Sequence, residues 1–186
     1  KLGEKRLQPD DEVISVAAGF PATITPIIQY GLVPVLVDVG IPTYNIDIQM
    51  MREAITPKTK WLIFNSPSNP TGAAYTADEI RALADVLVKH PHVWIMTDDI
   101  YEHLVYDGFE FTTMAQVAPE LFDRTLTVNG LAKAYSMTGW RIGYLTAPKD
   151  IMNAIVRVQQ NLMISLCTFI QFGAATALSG PQECVT

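Results

Sequence analysis

Residues 125–146, TLTVNGLAKAYSMTGWRIGYLT, decide the fold, because they hold two predicted strands joined by a short loop. Thr125 to Asn129 is the first strand, and Arg141 to Thr146 is the second. A crossover between parallel strands needs roughly a dozen residues or more, and residues 130–140 are too few. The second strand is therefore predicted to run antiparallel to the first, which would return Arg141 to the edge where the first strand ends.

Four more predicted strands precede this pair, and segments typical of helices alternate with them. They are Glu12 to Val16, Val33 to Val37, Lys60 to Asn65 and Val93 to Asp98. Runs such as WLIF and VWIM within them are apolar without alternation, as in strands that are covered on both faces. The sequence therefore predicts an α/β fold of three layers, with a mostly parallel sheet, one antiparallel strand and helices on both faces.

The clearest predicted helix runs from Ala77 to His90. Thr76 begins a capping box before it, and an apolar stripe runs along it. A second helix should begin at about Pro148 and a third near Thr168. The chain has no internal repeat and no linker-like segment, so residues 1–186 are expected to form one domain.

The composition excludes several classes of function. With 186 residues, 49% of them hydrophobic and 17% charged, the chain can bury one sizeable core. A net charge of -6 without any run of Lys or Arg argues against nucleic acid as a partner. No stretch approaches the roughly 20 apolar residues of a membrane span, and the first residues carry no signal core. We therefore expect no membrane partner and a cytoplasmic location.

The cysteines and histidines do not predict a metal site. The two cysteines lie far from any pair of histidines, and none of these five residues has metal-ligand companions at a useful spacing. They are Cys167, Cys184, His90, His92 and His103. Both cysteines are expected to be free thiols.

Polar side chains follow the ends of three predicted strands. In a parallel sheet, ligands bind beyond the carboxyl ends of the strands. Asn69 follows the third strand, Asp98 ends the fourth with Tyr101 shortly after it, and Lys133 follows the fifth. Arg141 would return to the same edge on the antiparallel strand. We therefore expect these five side chains to meet at one place.

Lys133 is the candidate nucleophile. Its neighbours Gly130, Ala132 and Ala134 are small and neutral. A lysine that is partly desolvated and near a cation can lose its proton near neutral pH and form a Schiff base with a carbonyl group. Arg141 offers a planar fork of donors to a phosphate. The alternative is that both are ordinary surface charges, as lysines and arginines mostly are.

The other members of the predicted site also have ordinary alternatives. Adjacent side chains point in different directions, so only one of Asp98 and Asp99 should face the site. Asp98 is favoured because Tyr101 lies three residues beyond it. Tyr101 could be a half-buried tyrosine without a role. Asn69 could simply build a turn before Pro70.

Four motifs resemble those of the fold-type I pyridoxal-phosphate enzymes, and specifically the class I/II aminotransferases related to aspartate aminotransferase. They are NSPSNPTG (65–72), TDDIYEHLVYDG (97–108), RTLTVNG (124–130) and LAKAYSMTGWRIGY (131–144), in the family's order and spacing. The resemblance begins at about residue 57 and ends at about residue 160. It implies that the chain is the central part of that family's large domain, without the preceding helix and the C-terminal small domain.

The resemblance assigns the predicted site residues to pyridoxal 5'-phosphate. Lys133 would form the Schiff base and then move a proton as general base and acid. Asp98 would keep the pyridine nitrogen protonated, and Tyr101 and Asn69 would hydrogen-bond the phenolic oxygen. Arg141 would hold the phosphate. Lys133, Asp98 and Tyr101 are thus the implied catalytic residues.

The resemblance also implies a sixth residue, a reaction and a partner. Phe20 matches the aromatic residue that stacks on the cofactor ring, although a core phenylalanine is an equal alternative. The implied reaction moves an amino group from a small-molecule amino donor to a 2-oxo acid acceptor. The family's members act as homodimers, so a homodimer is expected.

Residues 1–55 resemble a different branch of the same fold, the sugar-nucleotide 3-dehydrases and aminotransferases. The segment QPDDEVISVAAGFPATITPIIQYGLVPVLVDVGIPTYNID (8–47) carries this resemblance. The dehydrases of that branch have histidine in place of the lysine, so the presence of Lys133 favours transamination. Two alternatives stay open, a sugar-nucleotide enzyme with the same cofactor and a non-catalytic aminotransferase-like domain that binds the cofactor or an effector.

Overall fold

The computed structural model, which describes residue 3 and residues 6–185, is built on one six-stranded sheet. The strands stand in the order β2-β1-β3-β4-β5-β6, and their bounds are Glu12–Val16 (β1), Val33–Val37 (β2), Thr59–Asn65 (β3), Trp94–Asp98 (β4), Thr125–Gly130 (β5) and Gly143–Thr146 (β6). Neighbouring strands from β2 to β5 are parallel, and β6 pairs antiparallel with β5. The predicted mixed sheet is confirmed.

The predicted start of β6 is wrong by two residues. Arg141 does not begin the strand, because its φ of 53° lies in the left-handed region, whereas a strand needs an extended backbone. Arg141 instead ends a short 3-10 turn over Thr138–Trp140, and the strand begins at Gly143. The chain therefore reverses direction just before β6, with Arg141 at the point of reversal.

Among the described residues, six α-helices connect or follow the strands. Their bounds are Thr25–Gln29 (α1), Ile48–Ala54 (α2), Ala77–Leu87 (α3), Met114–Val117 (α4), Lys149–Met163 (α5) and Thr168–Ser179 (α6). The predicted starts of α3, α5 and α6 agree with these bounds. The predicted capping box of α3 is also present, since Thr76 Oγ1 accepts from Glu79 N and Glu79 Oε2 accepts from Thr76 N. Among the described helices, none is both long and apolar enough to cross a membrane.

The prediction that α3 reaches His90 is wrong. The helix ends at Leu87, and the residues that follow make tighter bonds, with Lys89 N donating to Val86 O and His90 N to Leu87 O. The guanidinium of Arg124 lies at this end of the helix, where it donates hydrogen bonds to the carbonyl oxygens of Leu87 and His90. These contacts satisfy acceptors that the end of a helix leaves without partners.

Helices lie on both faces of the sheet, but they cover the two faces unequally. On one face, Leu62 and Ile95 are fully buried against α3, which contributes Ile80, Leu83 and Leu87 to the same core. On the other face, α1 and α5 line apolar cavities beside the strands, and Trp61 and Met96 are only half-buried there. Helices on both faces are thus confirmed, and the second face is the more open.

Candidate functional site

A cavity of about 540 Å³ opens at the carboxyl ends of the parallel strands. Five of the six predicted site residues line it, namely Phe20, Asn69, Asp98, Tyr101 and Lys133. Small-molecule sites usually occupy roughly 300 to 1,000 Å³ and combine apolar walls with a few polar groups. This cavity has that character, because Ile63, Met96 and Val128 contribute apolar wall between the polar side chains.

Asn65 organises the polar edge between β3 and β4. It ends β3, and its Nδ2 donates to Asp98 O at 2.9 Å, while its Oδ1 accepts from Asn69 N at 2.9 Å. Asn69 Nδ2 in turn donates to the Tyr101 hydroxyl at 3.5 Å. The expected turn is present as well, since Gly72 N donates to Ser68 O. Asn69 therefore both belongs to a turn and points a side chain into the cavity.

Asp98 presents its carboxylate to the cavity, whereas the neighbouring Asp99 does not line it. Successive side chains of a strand point to opposite sides, which explains the division. Asp98 Oδ1 accepts from Ile100 N at 3.3 Å, and burial raises the pKa of the Asp98 carboxyl despite this bond. A nearby cation would stabilise the ionised form of a desolvated carboxyl group such as this one.

Asp99 is one of the most deeply buried polar side chains, with 2% of its surface exposed. Burial raises the pKa of its carboxyl to about 7, and the nearby charge of Glu102 adds to the effect. None of the described residues donates a hydrogen bond to its Oδ2. The turn after β4 therefore contains a buried carboxyl group that binds a proton more tightly than an aspartate in water does.

Lys133 lies on the loop between β5 and β6, with its amine beside Tyr101. The distance from Lys133 Nζ to the centroid of the Tyr101 ring is 5.5 Å, which is within reach of a cation–π contact. Leu131 is fully buried and anchors the loop, and Ser136 N donates to Lys133 O. The side chain of Lys133 is half-buried rather than exposed.

A hydrogen bond between Glu102 and Asn129, which sequence reasoning missed, joins two segments of the site. One is the turn after β4 that carries Tyr101, called here the tyrosine turn, and the other is the loop between β5 and β6 that carries Lys133, called here the lysine loop. Asn129 Nδ2 donates to Glu102 Oε1 at 2.7 Å, and Asn129 Oδ1 accepts from Gly130 N at 2.7 Å. Both residues lie inside motifs that the sequence singles out, but nothing in their spacing indicates that they pair. Asn65 was missed too, although it ends an apolar strand in the same way as Asp98.

Gly130 is required where β5 meets β6. A Cβ atom at this position would lie 3.1 Å from Ile142 O and 3.2 Å from Gly143 Cα. Both of these are main-chain atoms beside the strand pair in which Gly130 faces Gly143, and they would have to shift by a few tenths of an ångström to admit a Cβ atom. The close approach of the two strands therefore fixes where the lysine loop leaves the sheet.

The structure does not bring Arg141 together with the other five predicted residues. Arg141 is exposed and is not part of the cavity lining. Its Nη1 donates to Thr138 O at 3.0 Å, within the turn that precedes β6. Its backbone is left-handed, and β6 begins two residues later, at Gly143.

Phe20 forms part of the cavity wall. It precedes the 3-10 turn Pro21–Thr23, and 53% of its surface is exposed. That exposure is inconsistent with the alternative of a core phenylalanine. An aromatic ring on a cavity wall can stack on a flat ligand.

Comparison with known proteins gives a consistent result over the whole chain. The family model for aminotransferase class I and II matches residues 5–186. The chain is 52% identical over 178 residues to the aspartate/prephenate aminotransferase of Cereibacter sphaeroides, an alignment that covers 95% of this chain and 44% of that protein. The chain thus spans about half the length of the curated relatives it matches. Because this alignment includes the segment resembling sugar-nucleotide enzymes, that alternative is not favoured.

Solved structures with the same fold include two aspartate aminotransferases. The crystal structure of the enzyme from Rhizobium meliloti has a TM-score of 0.94 at 43% identity, covering 98% of this chain and 46% of that one. The enzyme from Thermus thermophilus, solved with maleate, has a TM-score of 0.88 at 39% identity, covering 99% of this chain and 47% of that one. The sheet and its helices are therefore those of a known fold.

Proposed function

Because the chain belongs to the class I and II aminotransferase family, we propose that it forms the cofactor-binding part of an aminotransferase. The reaction would move an amino group between an amino acid and a 2-oxo acid. The observation that carries the proposal is the single cavity lined by Lys133, Asp98, Tyr101 and Asn69 at the carboxyl ends of the parallel strands. An amine and a desolvated carboxylate facing one cavity, with a phenol and an amide between them, match the needs of this chemistry.

Pyridoxal 5'-phosphate is the cofactor that these residues fit. When bound through a Schiff base to Lys133, it supplies an electron sink for the electrons of a bond to the amino acid's α-carbon. The donor set supports this choice, because the cavity offers one primary amine for the aldehyde and one carboxylate, Asp98, for a protonated ring nitrogen. The raised pKa of Asp98 indicates a carboxylate that would be stabilised by such a cation.

The remaining side chains would orient the ring and move the proton. The Tyr101 hydroxyl and the Asn69 amide, already 3.5 Å apart, would hydrogen-bond the ring's phenolic oxygen. Phe20 would stack on the ring, since its partly exposed side chain lines the cavity. Once freed by the substrate's amine, Lys133 would take the proton from the substrate's α-carbon and return it elsewhere as general base and acid.

Arg141 is proposed as the phosphate ligand, and its side chain would have to adopt another rotamer to bind the phosphate. A guanidinium has five N–H donors, and its contact with Thr138 O is made within an exposed turn. Rotation of the side chain would exchange that carbonyl for a phosphate, which makes stronger, charge-assisted hydrogen bonds. An Arg141→Ala variant should therefore bind pyridoxal without its phosphate as well as the wild type does, but the phosphorylated cofactor more weakly.

Aspartate is the proposed amino donor. The relatives from Cereibacter sphaeroides and Rhizobium meliloti are both named for aspartate, and the Thermus thermophilus enzyme was solved with maleate, a four-carbon dicarboxylate. We also propose a homodimer and a cytoplasmic location. Light scattering of the purified chain tests the dimer.

The test of the proposal is covalent capture of the cofactor. The chain is incubated with pyridoxal phosphate, reduced with borohydride, digested and searched by mass spectrometry for a phosphopyridoxyl group on Lys133. We expect the modified peptide in the wild type and in Lys149→Ala, which removes an exposed lysine, and not in Lys133→Ala. Adducts spread evenly over many lysines, in protein shown by circular dichroism to be folded, would reject Lys133 as the site.

A second measurement addresses the amino donor. Captured chain that has not been reduced is mixed with aspartate, with lysine or with an amino sugar, and the carbonyl product released is measured, which is a 2-oxo acid from an amino acid and a keto sugar from an amino sugar. Release from aspartate alone supports a dicarboxylic donor. Release from the amino sugar alone would favour the sugar-nucleotide branch instead.

A further inference from the structure

The contact between Glu102 and Asn129 lies just beyond the last paired residues of β4 and β5, where the tyrosine turn and the lysine loop leave the sheet. The register between β4 and β5 ends at Asp98 and Val128, and Asp99 N donates to Val128 O just beyond it. From there the chain after β4 turns towards Tyr101, and the chain after β5 continues towards Lys133. The bond from Asn129 Nδ2 to Glu102 Oε1, at 2.7 Å, ties the two segments beyond the end of the ladder.

The burial and geometry of this hydrogen bond indicate that it stabilises the relative position of the two segments. Asn129 is 8% exposed and the Glu102 side chain is 26% exposed, so water competes weakly for both partners. A carboxylate acceptor makes a shorter and stronger bond than a neutral one. The other end of the Asn129 amide is also fixed, because its Oδ1 accepts from Gly130 N. The orientation of Asn129 is thus set from both sides.

We propose that Glu102 is a positioning residue, which acts through Asn129 to hold the Lys133 amine against Tyr101. The consequence for catalysis rests on the proposed function, but the geometry concerns this chain alone. If the bond is lost, the tyrosine turn and the lysine loop separate. Lys133 then loses the ring contact at 5.5 Å and becomes more accessible to water and to dissolved reagents. The greater accessibility should make the amine react faster with an acylating reagent.

The test measures acylation of the cofactor-free chain. The protein is treated with limiting acetic anhydride, and the rate at Lys133 is compared by mass spectrometry with those at Lys89 and Lys149 in the same sample. Glu102→Ala should raise the relative rate at Lys133 by about threefold or more, because the tie is gone. Glu102→Gln should leave it within about 1.5-fold, since the glutamine Oε1 still accepts from Asn129. Glu110→Ala, which removes an exposed carboxylate, should change nothing.

A second pair of variants keeps the test valid if Glu102→Ala does not fold. Asn129→Asp places a carboxylate against Glu102 and should break the bond. The double variant Glu102→Gln with Asn129→Asp rebuilds it with donor and acceptor exchanged, and its net charge equals that of the wild type. The relative rate at Lys133 should rise in the single variant and return to within about twofold of the wild type in the double variant.

Three results would overturn the proposal. They are an unchanged rate in both Glu102→Ala and Asn129→Asp, a rate in Glu102→Gln as high as in Glu102→Ala, and a double variant as fast as Asn129→Asp alone. A merely structural role would instead raise the rates at all three lysines together. Acylation uses no cofactor, so failure to capture pyridoxal phosphate on Lys133 rejects the proposed function without affecting this result.

Discussion

Replacing Asp99 by asparagine should stabilise the protein at neutral and alkaline pH. The side chain is 2% exposed, and the pKa of its carboxyl is raised to about 7 by burial first and by the charge of Glu102 second. In the unfolded chain the pKa of an aspartate is about 4. The folded state therefore binds the proton more tightly and holds more protons than the unfolded state between these two values. Stability must fall as the pH rises through that range.

The size of the effect follows from the two pKa values. A change of one in pKa corresponds to about 1.4 kcal/mol, so ionisation of Asp99 destabilises the fold by at most about 4 kcal/mol above pH 7. Between pH 5 and pH 8 this group alone should lower the free energy of unfolding by about 2.5 kcal/mol. Asparagine has nearly the shape of the neutral carboxyl and does not ionise. In Asp99→Asn this part of the pH dependence should vanish.

The assay is urea unfolding of the wild type and Asp99→Asn at several pH values between 5 and 8, followed by circular dichroism. The variant's advantage over the wild type should grow by about 2.5 kcal/mol across that range. Asp123→Asn, at an exposed position, serves as the matched control and should show a constant difference. A difference for Asp99→Asn that stays constant within about 0.5 kcal/mol would refute the reasoning, since it would mean that the buried carboxyl ionises as it does in water.

Three further substitutions test other parts of the structure. Arg124→Met removes the hydrogen-bond donors to three backbone carbonyls at the end of α3 and in the segment after it. Urea unfolding should show that the free energy of unfolding falls by about 2 to 4 kcal/mol. A fall of less than about 1 kcal/mol would contradict the assigned role. Tyr75→Phe leaves the buried Ile46 N without the hydroxyl that accepts from it at 2.6 Å, and the expected loss is about 1 to 3 kcal/mol by thermal unfolding, which an unchanged melting temperature would disprove. Gly130→Ala places a Cβ atom against Ile142 O, so it should destabilise the fold by about 1 to 3 kcal/mol and abolish cofactor capture. Full capture by this variant would show that the two strands can move apart there without loss of cofactor binding.

The sheet was predictable because its strands carry the signal locally. Continuous apolar runs bounded by turn residues gave every strand to within two residues at either end, and the shortness of the loop after β5 gave the direction of β6. What failed depends on distant groups or on single backbone angles. The apolar stripe of α3 continues past Leu87, but a guanidinium from Arg124 caps the helix there. The left-handed backbone of Arg141 has no signature in its neighbours.

The site was predictable only as far as the strand-end rule reaches. That rule brought Asn69, Asp98 and Lys133 to one cavity, because it needs nothing more than strand direction. It says nothing about residues that act through a side-chain contact, such as Asn129. It also placed Arg141 at the cavity edge on the assumption that this residue begins a strand. The strand begins two residues later, at Gly143, and Arg141 does not line the cavity.

The antiparallel pairing of β5 and β6 affects the order in which the chain folds. These two strands are joined by a short loop, whereas the parallel neighbours must first close long crossovers, which slows folding. The hairpin that carries Lys133 should therefore form early, and Phe20, which follows β1, should join it only when the long-range pairings are complete. A ligand that needs both ends of the cavity would then bind the native state alone and shift the folding equilibrium towards it.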